Sequence, residues 1–187
     1  MEKVTWGRAA LSRRKAMMSA LTLALAGTLM NSSIAAQADV SKDAPLAPLF
    51  EASSWLNGQP SRASLRGKVV LVDVFTFGCI NCKNITPALR SLNRTKSNDG
   101  LAIVGIHSPE TAYEHEHGAV VANLKTLGVT WPVAIDNDLV LWNAYHINAW
   151  PTQLIFDRRG RLRKTIVGDS QDALVNETID ALLKERA

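Results

Sequence analysis

Two runs of apolar residues mark the first half of the chain. Residues 69–77 are almost continuously apolar, and residues 101–108 repeat the pattern. Runs without alternating polar positions are typical of central strands whose two faces are both covered by helices. Between the runs, residues 79–95 carry apolar side chains at helical spacing. The pattern therefore predicts strand, helix, strand.

Shorter elements are predicted in the remainder of the chain. They are a turn at Asn57-Gly58 with a hairpin leading into the first buried strand, a helix over 112–127, a short strand within 131–138, a helix over 139–145, a hairpin over 151–168 and a last helix capped by Asp169 or Ser170. Helices alternate with strands before an antiparallel hairpin closes the chain. This order predicts an α/β fold, a mixed sheet with helices on both faces.

The first 38 residues have the pattern of a signal peptide. Basic residues precede an uncharged run of 15 residues, 16–30, and Ala36-Gln37-Ala38 then fits an Ala-x-Ala cleavage site. The run is shorter than the roughly 20 apolar residues of a membrane-spanning helix, so we expect cleavage rather than anchoring. We predict a signal peptide over 1–38, a flexible lead-in over 39–48 and one domain over 49–187. The basic segment 12–18 partly resembles a twin-arginine signal, which leaves the export route open.

Removing the signal peptide changes how the charge is interpreted. The chain has 21 basic and 17 acidic residues. Residues 1–38 hold five of the basic residues and one of the acidic ones, so residues 39–187 hold 16 basic and 16 acidic residues. A neutral domain gives no support for nucleic-acid binding. A domain of this size also buries a full core without disulfides, so we do not expect the cysteines to serve as a scaffold.

Both cysteines lie in FTFGCINCKNITP, where two residues separate Cys79 from Cys82. Cys79 is predicted at the junction of a buried strand and a helix, where unpaired backbone N–H groups and the helix dipole stabilise an anion. We therefore identify Cys79 as the candidate nucleophile. Cys82 lies one helical turn further on, close enough to resolve a mixed disulfide by attacking Cys79.

Asp73 interrupts the first apolar run, six residues before Cys79. An ionised carboxylate in a central strand costs several kcal/mol if it is unpaired, so it needs a partner or a function. We predict that Asp73 takes the proton from Cys82. The alternative is a hydrogen-bonded core carboxylate without a catalytic role.

These motifs resemble a known fold. The active-site segment of the thioredoxin fold is similar to VLVDVFTFGCINCKNITP, with its Asp, its C-x-x-C pair and Pro87, and the cis-proline loop of that fold is similar to AWPTQLIF. Exported TlpA-like and DipZ-like thioredoxins are a closer resemblance, carried by LRGKVVLVDVF, GCINC, GIHSPE and WPVAIDND over residues 55–168.

The resemblance implies a thioredoxin-like sheet and a periplasmic thiol-disulfide oxidoreductase that needs no bound cofactor beyond its redox-active disulfide. It implies that Pro151 is the cis residue and that Trp150, Pro151 and Thr152 line the substrate groove. It also favours reduction of cysteine-containing exported proteins, with a membrane electron donor of the DsbD or CcdA type to reset the pair. We expect a monomer, because the sequence shows no dimerisation segment.

Two departures from the family pattern concern the active-site turn. Gly78 stands where many relatives have an aromatic or polar residue, and Ile80-Asn81 replaces both the Gly-Pro and the Pro-His dipeptides of better-known members. The dipeptide tunes the redox potential, so the direction of electron flow stays open.

Three alternative uses of the cysteines fit the sequence less well. A structural disulfide across four residues closes almost no loop and so adds little stability. A zinc site completed by His115 and His117 conflicts with their spacing, because residues two apart on a helix point to nearly opposite sides. A copper site rich in methionine is excluded for the mature domain, because all four methionines precede residue 31.

A thiol peroxidase is the fourth alternative. Thr76 stands three residues before Cys79, where peroxiredoxins have a threonine, but Val72 stands where their motif needs proline. This mismatch argues against peroxide reduction.

Overall fold

The computed structural model describes residues 44–186, so the predicted signal peptide and the start of the lead-in lie outside the described residues. The strands are β1 (Trp55–Leu56), β2 (Val69–Phe75), β3 (Leu101–His107), β4 (Val133–Ile135), β5 (Thr152–Phe156) and β6 (Leu162–Val167). The α-helices are α1 (Arg62–Leu65), α2 (Ile80–Lys96), α3 (His117–Leu127), α4 (Val140–Ala144) and α5 (Asp172–Lys184). Two 3₁₀ helices, Ala44–Glu51 and Ala112–His115, complete the set.

The six strands form one mixed sheet in the order β1-β4-β3-β2-β5-β6. At its centre, β2 runs parallel to β3 and antiparallel to β5, and all seven residues of β2 are buried. The predicted α/β fold with a mixed sheet is therefore confirmed.

Alternate residues of β2 enter two separate cores, as the two-residue period of a strand requires. Leu71 and Phe75 pack on one face with apolar residues of α2, α3 and α5. Val70 and Val72 pack on the other face with residues of α1, α4 and the first 3₁₀ helix. Helices thus cover both faces, and the end of β2 is fixed at the start of α2.

The predicted hairpin before β2 is wrong. The turn is present, with Asn57 and Gly58 at φ of 57° and 92°, but β1 pairs antiparallel with β4 at the edge of the sheet. The helix α1 then leads the chain to β2. A turn signal fixes a local change of direction, whereas the partner of a two-residue strand is decided by tertiary packing.

The prediction of a flexible lead-in is also wrong for its second half, residues 44–48. Ala44–Glu51 forms a 3₁₀ helix that includes Pro48. Leu46 and Leu49 bury their side chains in the second core, and the Leu49 N–H donates to the Tyr145 hydroxyl at 3.1 Å. Two leucines three residues apart lie on one side of a 3₁₀ helix, which is why this short stretch docks.

Two helix starts differ from the predicted ones. The predicted helix over 112–127 is divided into a 3₁₀ helix and α3 at Glu116. The residue before α5 is Gln171, rather than Asp169 or Ser170, and its side chain makes no capping hydrogen bond.

Within residues 44–186, no helix is both long and apolar enough to cross a membrane.

Candidate active site

The two cysteines lie where the central strand β2 passes into α2. Cys79 is the N-cap of α2, and its Sγ accepts a hydrogen bond from the Cys82 backbone N–H at 3.4 Å. Both thiols are free; Cys79 is half-buried, whereas Cys82 is only 4% exposed. A partner can therefore reach Cys79, while Cys82 is shielded one turn further into the helix.

Burial raises the pKa of the Cys82 thiol far above its ordinary value, and the side-chain hydrogen bond with Cys79 and the charge of Asp73 raise it further. Cys82 is consequently a protonated thiol in the reduced protein. It can attack a disulfide only after a base removes its proton.

Asp73 is the carboxylate on the same face of the sheet as the cysteine pair. It is 4% exposed, and its Oδ1 has no hydrogen-bond partner among the described residues. Burial raises its pKa to about 7. A carboxylate with this pKa exchanges a proton readily near neutral pH, which is what deprotonation of Cys82 requires.

The second loop that reaches the cysteines contains Trp150 and Pro151. Their peptide bond is cis, as the family resemblance implied. The Cys79 Sγ lies 4.0 Å from the Trp150 carbonyl oxygen. The Trp150 indole N–H donates to the Ser108 carbonyl at 3.0 Å, and the buried Thr152 hydroxyl donates to the Ala149 carbonyl at 2.8 Å. The Trp150 carbonyl thus lies beside the predicted nucleophile, and the binding of substrate by Trp150, Pro151 and Thr152 stays a prediction.

Glu114, which no pattern in the sequence singled out as a site residue, reaches the active-site turn from the second 3₁₀ helix. The Gly78 N–H donates to its Oε1 at 2.9 Å, and its Oε2 accepts from the N–H groups of Glu110 at 2.8 Å and Thr111 at 2.7 Å. Its side chain is 2% exposed. The capping-box spacing of Thr111 and Glu114 was the available signal, but it predicts only the local bonds.

The position of Glu114 explains the glycine that precedes the nucleophile. A Cβ atom at residue 78 would collide with the Glu114 Oε1. Burial alone would raise the pKa of Glu114, but the hydrogen bonds that it accepts outweigh this and hold its pKa below the usual range. An ionised carboxylate therefore occupies the space that a side chain at residue 78 would need.

His107 is a fully buried histidine beside this turn. Its ring stacks on Phe77, with 5.4 Å between ring centroids, and meets the edge of Phe75 at 5.5 Å. Burial lowers its pKa to about 4, so His107 is neutral at physiological pH and contributes an aromatic surface rather than a charge.

The histidines of the zinc alternative lie away from the cysteines. His115 and His117 line a surface pocket with Glu51 and Asp138. Within residues 44–186, no three His, Cys, Asp or Glu side chains are grouped closely enough to hold a metal ion.

Comparison with known proteins places this site in a family. A model of the AhpC/TSA family matches residues 44–165. Protein DipZ of Mycobacterium tuberculosis is 35% identical over 131 residues, 68% of this chain and 19% of DipZ. The thiol-disulfide oxidoreductase YkuV of Bacillus subtilis is 28% identical over 142 residues, 75% of this chain and 95% of YkuV.

The solved structure of a thioredoxin-like protein confirms the thioredoxin-like fold, with 26% identity and a TM-score of 0.66 over 72% of this chain and 91% of that one. A thiol-disulfide isomerase from Corynebacterium glutamicum is 26% identical and superposes with a TM-score of 0.65, covering 72% of this chain and 94% of that one. The chain spans about one fifth of the length of DipZ. The resemblance to DipZ therefore concerns only part of that longer protein.

Proposed function

The chain belongs to the AhpC/TSA family, and we propose that it is a thiol-disulfide oxidoreductase that acts through Cys79 and Cys82. The observation that carries this proposal is the position of the Cys79 Sγ, which lies between the start of α2 and the Trp150 carbonyl and above a buried second thiol. The two sulfurs themselves carry the electrons, so the reaction needs no bound cofactor.

In the first step, the Cys79 thiolate attacks one sulfur of a partner disulfide. A mixed disulfide forms between Cys79 and the partner, and the other partner sulfur leaves as a thiolate that takes a proton from solvent. The Cys82 N–H and the start of α2 favour the attacking anion. The Trp150 carbonyl, 4.0 Å from the Cys79 Sγ, offers the partner peptide a hydrogen-bond acceptor beside the nucleophile.

In the second step, Asp73 accepts the proton of Cys82, and the resulting thiolate attacks the Cys79 Sγ. The Cys79–Cys82 disulfide forms, and the second partner sulfur leaves and is protonated. The partner has gained two electrons and the cysteine pair has lost two. A pKa of about 7 suits Asp73 to this exchange.

We propose that the pair works as a reductase of cysteine-containing exported proteins, and that a membrane donor of the DsbD or CcdA type reduces it again. The signal-peptide pattern of residues 1–38 supports an exported, periplasmic site of action. The redox potential supports this direction if it lies near −270 mV, the value for thioredoxin, and opposes it if it lies near −120 mV, the value for a strong oxidant.

A mixed-disulfide trap tests the use of the pair. With a disulfide-containing peptide, Cys82→Ser is expected to accumulate a covalent complex, because nothing resolves the bond at Cys79. Cys79→Ser is the matched control and should accumulate none. Equal trapping by the two variants, or the absence of any complex, would refute the assigned roles.

A peroxidase assay tests the alternative that the protein is a thiol peroxidase. We expect the reduced protein to consume hydrogen peroxide no faster than a free dithiol, because Val72 stands where the peroxiredoxin motif needs proline. Peroxide consumption that is fast, saturable and lost in Cys79→Ser would make peroxide the substrate instead.

A further inference from the structure

Glu114 is a buried charge that the two steps above do not use. It lies 36 positions beyond Gly78, yet the two residues share a hydrogen bond of 2.9 Å directly before the nucleophile. The other Glu114 oxygen is held by the N–H groups of Glu110 and Thr111. The carboxylate therefore joins the active-site turn to the segment 110–114 and cannot rotate away without losing three hydrogen bonds.

We propose that Glu114 is a positioning residue that fixes the turn before Cys79 and, through its negative charge, shifts the Cys79–Cys82 pair toward the disulfide. The reduced pair then becomes a stronger electron donor. This inference rests on the proposed function and identifies the residue that gives that function its reducing direction.

The charge of Glu114 lies beside the turn, in a surface pocket that Lys83 also lines. No Lys, Arg or His side chain within residues 44–186 forms an ion pair with it. His107, the nearby buried ring, is neutral. The N–H groups that bind the carboxylate are neutral, so its field reaches the turn directly before Cys79, and the burial of Glu114 weakens solvent screening there.

The sign of the effect follows from the charges of the two redox states. The reduced pair carries negative charge at Cys79 when it is active, whereas the disulfide is neutral. A neighbouring carboxylate penalises the anion and hence the reduced state. The disulfide is favoured, and transfer of two electrons from the pair to a partner disulfide is more favourable. The charge of Glu114 thus destabilises the Cys79 thiolate, whereas the helix dipole at the start of α2 stabilises it.

The test is the equilibrium of the purified full chain with reduced and oxidised glutathione, measured for three substitutions. Glu114→Gln removes the charge, and we expect the equilibrium constant to move about tenfold toward the dithiol, which is a potential about 30 mV higher. Glu110→Gln removes an exposed charge four residues earlier, and we expect a change of less than about twofold because water screens it. Glu114→Asp keeps the charge and should stay within about threefold of the unmodified chain.

Each outcome separates charge from structure. If Glu114→Asp shifts the equilibrium as far as Glu114→Gln, the effect comes from loosening the segment and the role of the charge is overturned. If Glu114→Gln matches Glu110→Gln, or shifts the equilibrium toward the disulfide, the whole inference is overturned.

Gly78→Ala gives an independent measurement if the Glu114 variants do not fold. Its Cβ would push the ionised carboxylate away from the turn, so we expect a shift of the same sign as Glu114→Gln. A shift of the opposite sign contradicts the inference. If the unmodified pair does not exchange with glutathione at all, the proposed function itself fails, which is a distinct result.

Discussion

Replacing Asp73 by Asn tests the buried carboxylate through protein stability as well as through catalysis. Burial raises the pKa of Asp73 from its ordinary value near 3.8 to about 7. The folded protein therefore binds a proton that the unfolded chain releases between these two values. Stability must fall as the pH rises through this range, because ionisation is favourable in the unfolded chain and costly in the core.

The size of the effect follows from the two pKa values. Linkage gives a loss of roughly 3 kcal/mol in the free energy of unfolding between pH 5 and pH 8 from Asp73 alone. Asp73→Asn cannot ionise, so the variant should lack this loss. The amide adds buried donors whose cost does not depend on pH, so the change with pH is the informative quantity, not the absolute stability.

Urea unfolding of the reduced protein at several pH values measures this difference. Other titrating groups such as His107 contribute to both curves, and subtracting the variant from the unmodified protein removes them. Asp138→Asn, at an exposed position, is the control and should follow the unmodified protein. If Asp73→Asn shows the same change between pH 5 and pH 8 as the unmodified protein, the carboxylate does not have a raised pKa and its assignment as the base for Cys82 loses its physical support.

Three further substitutions test the packing and charge of the domain. Ile179→Ala opens a cavity at a side chain with no exposure, so we expect the free energy of unfolding in urea to fall by about 2–5 kcal/mol. The exposed Val167→Ala is the control and should cost less than about 1 kcal/mol. Equal losses for the two variants would contradict the assigned core. Asp157 is buried, but hydrogen bonds from Arg161 and its neighbours outweigh burial and hold its pKa below the usual range. Asp157→Asn should therefore cost about 1–3 kcal/mol at pH 7 and progressively less below pH 4, and a cost that does not change with pH would refute this. Trp150→Phe removes the N–H that the Ser108 carbonyl accepts; with a disulfide peptide we expect a higher KM and little change in kcat, and an unchanged KM would argue against this loop as the groove.

The sequence predicts those elements whose signal is local. The seven-residue apolar strand β2 and the helix α2 appear where their periodicity places them, and Cys79 is at their junction. The same pattern predicts that Asp73 is buried, because it lies within an apolar run whose two faces are both covered by helices. Short-range patterns were therefore sufficient for the fold class and for three of the candidate site residues.

Features that depend on distant parts of the chain could not be predicted in this way. The two residues of β1 pair with β4, about 80 positions further along the chain, and nothing in a two-residue strand specifies a partner. The lead-in docks only because a pocket formed by α1, α4 and the sheet accepts Leu46 and Leu49. In both places, tertiary packing decides what local propensity leaves open.

Gly78 and Glu114 show the same dependence at the active site. In the sequence, Gly78 is a departure from the family pattern without a visible cause. In the fold, the carboxylate of Glu114 occupies the space beside the turn that a side chain at residue 78 would need, and it binds the Gly78 N–H. A buried anion thus lies where the family resemblance led us to expect an aromatic or polar side chain. The redox behaviour of the cysteine pair should then depend on residue 114 as well as on Ile80 and Asn81, the two residues between the cysteines.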